Sequence, residues 1–161
     1  MLLSYSQILL RMFLALFVGS ILGFERTRNK KAAGIRTHAL VCISSASITI
    51  ISAYGFGEFA NGNIDPARLA VGIITGIGFL GAGIIWKGPV GDVRGLTTAA
   101  NIWAAAGLGI GVGLGHFFLT FVTVTLMQLA LEISRILGYF GIIEYDHGQD
   151  KRVFIDENHE D

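Results

Sequence analysis

Five long apolar runs, separated by short polar stretches, organise this chain at 8–24, 38–57, 69–86, 99–115 and 117–137. A helix needs about 20 mostly apolar residues to cross the hydrocarbon core of a bilayer, and each run meets that requirement. Only a Gly115-His116 turn, at the end of the fourth run, divides it from the fifth. Read as one helix, the two would measure roughly 60 Å at about 1.5 Å per residue, twice what one span needs. Two spans joined by a tight turn fit better. The first run lacks a basic leader and a convincing small-residue cleavage pattern, and Arg11 interrupts it. It is therefore expected to stay as a helix rather than be removed as a signal peptide.

Composition agrees with the pattern. The 161 residues are 52% hydrophobic and 15% charged, with a mean hydropathy of +0.61 and 22 glycines. An ordinary soluble domain carries about 25% charged residues, so this chain has too few to cover a water-facing surface. Cys42 is the single cysteine, which excludes an internal disulfide and argues against a thiolate metal cluster.

The net charge of zero conceals an asymmetry that gives the spans a direction. Residues 1–143 carry ten Lys or Arg against five acids, whereas 144–161 carry two against seven. The first loop holds Arg26, Arg28, Lys30, Lys31 and Arg36 against Glu25. The second has Arg68 against Glu58 and Asp65, and the third has Lys87 and Arg94 with Asp92. Positive loops stay in the cytoplasm. The expected fold is an all-α membrane protein, a compact bundle of five transmembrane helices with the N-terminus outside and the C-terminus cytoplasmic. Residues 1–137 form the membrane domain and 138–161 a short acidic cytoplasmic tail. Trp86 and Lys87 suit an anchor at the inner end of the third span.

Gly76, Gly78 and Gly81 spell G-x-G-x-x-G, the spacing of a dinucleotide-binding loop. That motif requires a preceding strand and an acidic residue about 20 positions later. Here the glycines lie inside an apolar run, and the first acid downstream is Asp92. Helix packing in lipid explains them better, because small residues let backbones approach closely. Gly72 and Gly76 form a G-x-x-x-G pair, with Gly78, Gly81 and Gly83 beyond it. Gly107, Gly111 and Gly115 form one ladder, Gly109 and Gly113 a second, and Ala15, Gly19 and Gly23 a third. The third and fourth spans are accordingly predicted to be the tightly packed centre.

Polar residues in or beside spans are costly and call for individual readings. Arg11 shares the Ala15–Gly19–Gly23 ridge, where it either faces other helices or snorkels outward. Gln128, Glu132 and Arg135 make a polar stripe on the fifth span, and the last two can pair one turn apart. Asp65 and Pro66 are placed to open the third span as N-cap and first residue, with Arg68 in its first turn. Thr97 or Thr98 can cap the fourth span. His38 and His116 lack the spacing of a metal pair. One grouping goes further. Glu25, Arg26, Arg36, Thr37, Asp92, Arg94, Thr97, Thr98 and Asn101 all fall at the cytoplasmic end and are predicted to converge there. Such a cluster either binds phosphate or carboxylate through its guanidinium groups or locks the loops by internal pairing. Its positive members oppose a bare magnesium cage.

The blocks GFERTRNKKAAGIRTH at 23–38, DPARLAVGIITGIGFLGAGII at 65–85 and VRGLTTAANIWAAAGLGIGVGLG at 93–115 resemble the MgtC/SapB family of bacterial inner-membrane proteins. The resemblance covers about 7–137 in order. The matching motif positions are Glu25, Arg26, Gly34, Arg36 and Thr37; then Asp65, Arg68, Gly76, Gly78, Phe79, Gly81, Ala82 and Gly83; then Arg94, Gly95, Leu96, Thr97, Thr98, Ala99 and Trp103. The resemblance implies a multi-pass inner-membrane protein linked to growth under magnesium limitation, regulatory rather than transporting, and in some members acting on other membrane proteins. Many members continue into a soluble cytoplasmic domain, whereas here the acidic tail follows the fifth span.

The expected function is therefore a non-enzymatic regulator in the bilayer, a homo-oligomer with a dimer favoured, which contacts other membrane proteins. No catalytic constellation, cofactor, metal or nucleic-acid partner is expected. The competing reading is a small ion or solute transporter whose path uses Arg11, Asp65, Arg68 and the inner cluster. A membrane-embedded enzyme would have only Cys42 and His38 to work with, and they do not make a nucleophile and its base.

Overall fold

The computed structural model describes residues 3–56, 65, 67–89 and 91–139, with side chains through 133 in the last helix. Five α-helices follow in order: α1 (Tyr5–Arg28), α2 (Ile35–Ile50), α3 (Arg68–Ile84), α4 (Leu96–Leu114) and α5 (Phe117–Tyr139). Their positions follow the apolar runs closely. The segments Tyr5–Arg28, Ile35–Gly55 and Leu96–Leu114 are long and apolar enough to cross a membrane, while α3 is apolar but has 17 residues. The surface is rich in large apolar side chains, Phe79, Phe118 and Phe121 among them, as expected of a lipid-facing exterior.

Local chemistry sets the helix ends. Ser4 and Gln7 form a capping box that starts α1. Beyond α2 the chain widens into a π-helical turn, Ile51–Gly55, which presents Ser52 and Tyr54. Gly115 ends α4 at φ +86, a left-handed conformation suited to glycine, and its N–H returns to the Val112 carbonyl. That turn separates α4 from α5, as the length argument required.

Three local expectations are corrected. The helix α3 begins at Arg68 with Ala67 as N-cap rather than at Asp65 and Pro66. The Asp65 carboxylate instead accepts the Ala67 N–H at 2.9 Å, an Asx turn that leads into the helix; Pro66 lies outside the described residues. Neither Thr97 nor Thr98 caps α4. Gly95 does, at φ +88, and a Cβ there would run into the Ile84 carbonyl. The fold is also not purely helical. Trp86–Lys87 (β1) pairs antiparallel with Val93–Arg94 (β2), because Gly91 at φ +87 and a Gly88 N–H bond to the Asp92 carbonyl close a tight hairpin. The acidic tail from 140 onward lies outside the described residues.

The centre of the molecule is α1, α2 and α4 rather than α3 and α4. Ala15, Cys42, Ala46 and Val112 form one buried cluster, and Leu22, Ala105 and Leu108 another. Lipid supplies no hydrophobic drive between helices, so close packing and dispersion hold this centre together. Glycine permits the approach. A Cβ on Gly19 would lie 2.6 Å from the His38 carbonyl oxygen, and one on Gly113 would lie 2.8 Å from the Ala46 oxygen. At Gly23 it would strike the Ile35 backbone, and at Gly109 the Cys42 carbonyl. By contrast, a Cβ on Gly72, Gly76, Gly78, Gly83 or Gly107 would meet nothing within 4 Å. A Cβ on Gly81 would make an ordinary contact with Ala99, whereas one on Gly111 would crowd the Thr120 hydroxyl at 2.9 Å. Within the chain, α3 is a flanking helix and its glycine face is uncovered.

Candidate functional site

The first loop, the hairpin and the start of α4 lie at one end of the bundle, and the candidate cluster divides there into three groups. The innermost is built on Arg26, which is 4% exposed although it belongs to the last turn of α1. A cation is favoured at a helix C-terminus. Its Nη2 donates to the Thr98 hydroxyl at 3.2 Å, tying α1 to α4, and its Nη1 lies 3.4 Å from Glu25 Oε2. Glu25 also accepts from the Asn29 amide. This is a guanidinium held by one carboxylate and one hydroxyl in a nearly solvent-free position. The Arg26 Nε is buried without a hydrogen-bond partner.

The second group joins α2 to α4. His38 is fully buried, and its Nδ1 lies 2.9 Å from the Gly34 carbonyl oxygen. A carbonyl can only accept, so Nδ1 carries the hydrogen, and Nε2 is left to accept from the Asn101 amide at 3.2 Å. The Asn101 Oδ1 is buried without a partner. Sequence reasoning placed His38 at a span end and passed over it. Its burial was legible in the i, i+4 series His38, Cys42, Ala46, Ile50, all of which face inward.

The third group is local to the hairpin. Arg94 Nε donates to Asp92 Oδ2 at 2.5 Å, and its guanidinium stands 5.3 Å from the Trp86 ring centroid. The hydrogen bond from Arg94 holds the Asp92 carboxyl below its ordinary pKa. Arg36 and Thr97 are exposed, and Thr37 is half-buried at the edge of a cleft. The predicted single cluster is thus two buried knots and a separate surface pair, and Arg36 stands outside all three.

At the other end, Arg11 faces inward. Its Nη1 donates to the Gly113 carbonyl at 2.5 Å and to the Tyr54 hydroxyl at 3.3 Å, with the Tyr54 ring 5.2 Å away. A cation there complements the carbonyl-rich C-terminus of α4. Asp65 and Arg68 are both exposed at the start of α3. On α5 the Gln128 amide reaches the Ile21 carbonyl at 3.4 Å, while the Arg135 side chain lies outside those described. Among the described residues, no group of three or more His, Cys, Asp or Glu side chains could hold a metal ion.

Two clefts open between helices. One, of about 380 Å³, lies between α2, α3 and α4 near the basic end and is apolar apart from Thr37. The other, of about 560 Å³, lies between α1 and α5, with Gln128 and Glu132 on its wall.

Comparison with known proteins follows the same residues. The model of the MgtC family matches 12–140, and the chain belongs to that family. It is 38% identical over 129 residues to protein SapB of Bacillus subtilis, covering 78% of this chain and 56% of that protein. It is 37% identical over 137 residues to the putative magnesium transporter YhiD of Escherichia coli K12, covering 83% and 63%. Protein MgtC of Brucella abortus is 42% identical over 101 residues, covering 63% and 40%. The chain therefore spans little more than half the length of several curated relatives. No solved structure matches it.

Proposed function

We propose that this MgtC-family chain is a non-enzymatic regulator of the bacterial inner membrane, spanning it five times with the N-terminus outside, and that it acts by docking through α3 onto other membrane proteins or a second copy of itself. The regulated process belongs to magnesium limitation or membrane homeostasis; a relative named as a putative magnesium transporter supports the link to magnesium. The observation that carries this reading is the contrast between a closed polar interior and an open helix face. Arg11, Arg26, His38 and Asn101 are engaged within the chain, while Gly72, Gly76, Gly78 and Gly83 on α3 are bare. A bare glycine ridge in lipid is a surface suited to a second helix. Dimerisation is the simplest use of it.

The test is Gly76→Leu. Position 76 is exposed and a Cβ there would meet nothing within 4 Å, so the protein is expected to reach normal levels and normal thermal stability. Cysteine cross-linking from position 76 is expected to capture a second helix in membranes, and Gly76→Leu to abolish growth support under magnesium limitation. Full activity of Gly76→Leu at equal protein level would overturn the docking reading. The printed name of the relative YhiD favours a second reading, a transporter. Magnesium flux into vesicles reconstituted with this chain alone would establish that instead.

A further inference from the structure

The cleft of about 380 Å³ beside α3 has a feature that the glycine face does not explain: exposed cations adjoin two of its lining residues, Thr37 and Ile84, along the chain. Thr37, Leu80, Gly83, Ile84 and Ile102 line it. Arg36 precedes Thr37 in the first turn of α2 and is exposed. Lys87 follows Ile84 by three residues, on β1, and is also exposed. Trp86 beside it is 53% exposed, as interfacial tryptophans are. The first turn of α2 contains no acid, so the helix dipole adds positive potential beside Thr37, with the Thr27 hydroxyl accepting the Ile35 N–H at 2.9 Å. Neither Arg36 nor Lys87 shares the pairing that occupies Arg94.

We infer that this cleft is a binding site for one acidic phospholipid, with an acyl chain lying against Leu80, Gly83 and Ile102 and the phosphate group held by Arg36 and Lys87. Three features converge on that ligand: an apolar channel between helices, exposed cations next to its lining residues in the chain, and an exposed tryptophan beside one of them. A soluble anion would use the cations and leave the channel empty. A zwitterionic lipid would use the channel and carry its own cation against Arg36. Basic pockets between helices at the cytoplasmic side are where anionic headgroups bind. The channel shares Gly83 with the docking face proposed above, so the two are told apart at Arg36 and Lys87, which lie off α3.

Native mass spectrometry of the detergent-purified chain, titrated with phosphatidylglycerol and with phosphatidylcholine of identical acyl chains, tests this directly. One phosphatidylglycerol is expected to be retained at least tenfold more strongly than phosphatidylcholine, about what two cations near a headgroup supply. Arg36→Ala with Lys87→Ala is expected to erase that preference. Gly83→Leu places a side chain in the channel from a position whose Cβ would meet nothing within 4 Å, and is expected to lower binding of both lipids by about tenfold, with thermal stability unchanged. Arg28→Ala, on the exposed cation that ends α1, is the control and is expected to retain the preference. Equal retention of the two lipids, or wild-type retention by Gly83→Leu, would overturn the proposal, as would a loss with Arg28→Ala equal to that of the double variant. Displacement of phosphatidylglycerol by millimolar inorganic phosphate would also overturn it, since the site would then read phosphate without the chain.

Discussion

The glycines of α1 and α4 and those of α3 look alike in sequence and behave differently in the fold. Gly19, Gly23, Gly109 and Gly113 bring backbones together so closely that a single methyl group has no room. Gly72, Gly76, Gly78 and Gly83 face nothing within 4 Å. Both sets contain G-x-x-x-G spacing in apolar helices. The difference teaches that small-residue ridges report the capacity for close contact and not whether a helix of the same chain uses it. Here one set is used for folding, and the other is free for a partner.

The largest expected effect comes from exchanging the two behaviours. Gly23→Ala drives a methyl group into the Ile35 backbone, where no side chain can rotate away. It is expected to cost about 3 kcal/mol or more, the upper range for overpacking. Gly76→Ala meets nothing and is expected to gain about 0.5–1 kcal/mol from helix propensity. Thermal unfolding in a mild detergent reads both. Equal losses at the two sites would mean that α3 is packed by a route the intrachain contacts do not contain.

That contrast also marks what the sequence could reveal. Run lengths placed all five helices, and Gly115 with His116 marked the break between α4 and α5, because these depend on local backbone chemistry. The ridge Ala15–Gly19–Gly23 was equally visible, since a spacing of four defines a helix face. Which ridge meets which helix depends on the packing of the whole bundle, so α3 was misplaced at the centre. The candidate site divides in the same way. Topology put Arg26, Thr98 and Arg36 at one end, but the burial of Arg26 against α4 and the exposure of Arg36 follow from side-chain direction across the interface. His38 lacks the spacing of a metal pair, and its burial follows instead from the apolar face it shares with Cys42 and Ala46.

An intermediate effect separates the buried guanidinium from the exposed one. Arg26→Met removes the bond to Thr98 and leaves Glu25 without its cation, and it is expected to cost about 2 kcal/mol, as for a hydrogen bond to a charged group. Arg26→Lys keeps the charge but not the fork, so it is expected to recover only part of that loss. Arg36→Ala is expected to change stability by less than about 0.5 kcal/mol. Unfolding in mixed micelles measures all three. A loss at Arg36 equal to that at Arg26 would join the two residues in one cluster and erase the distinction drawn between them.

The smallest effect belongs to the hairpin, and its sign is fixed by the chemistry of Asp92. The hydrogen bond from Arg94 holds this carboxyl below its ordinary 3.8. A group with a depressed folded pKa contributes stability above its unfolded value and loses it as pH falls through the folded value. Between pH 7 and 5 the hairpin is therefore expected to be unchanged, and the contact opens only below 3.8. Asp92 is 29% exposed, so solvent screens the pair and the change stays local. Arg94 stacks on Trp86, which supplies a reporter once Trp103→Phe has removed the other tryptophan. Trp86 emission is expected to titrate with a midpoint under 3.8, and in Asp92→Asn to be shifted already at neutral pH and flat with acid. A midpoint at or above 3.8 would show that Arg94 does not hold the carboxylate, and that the surface pair is as open as the bare face of α3.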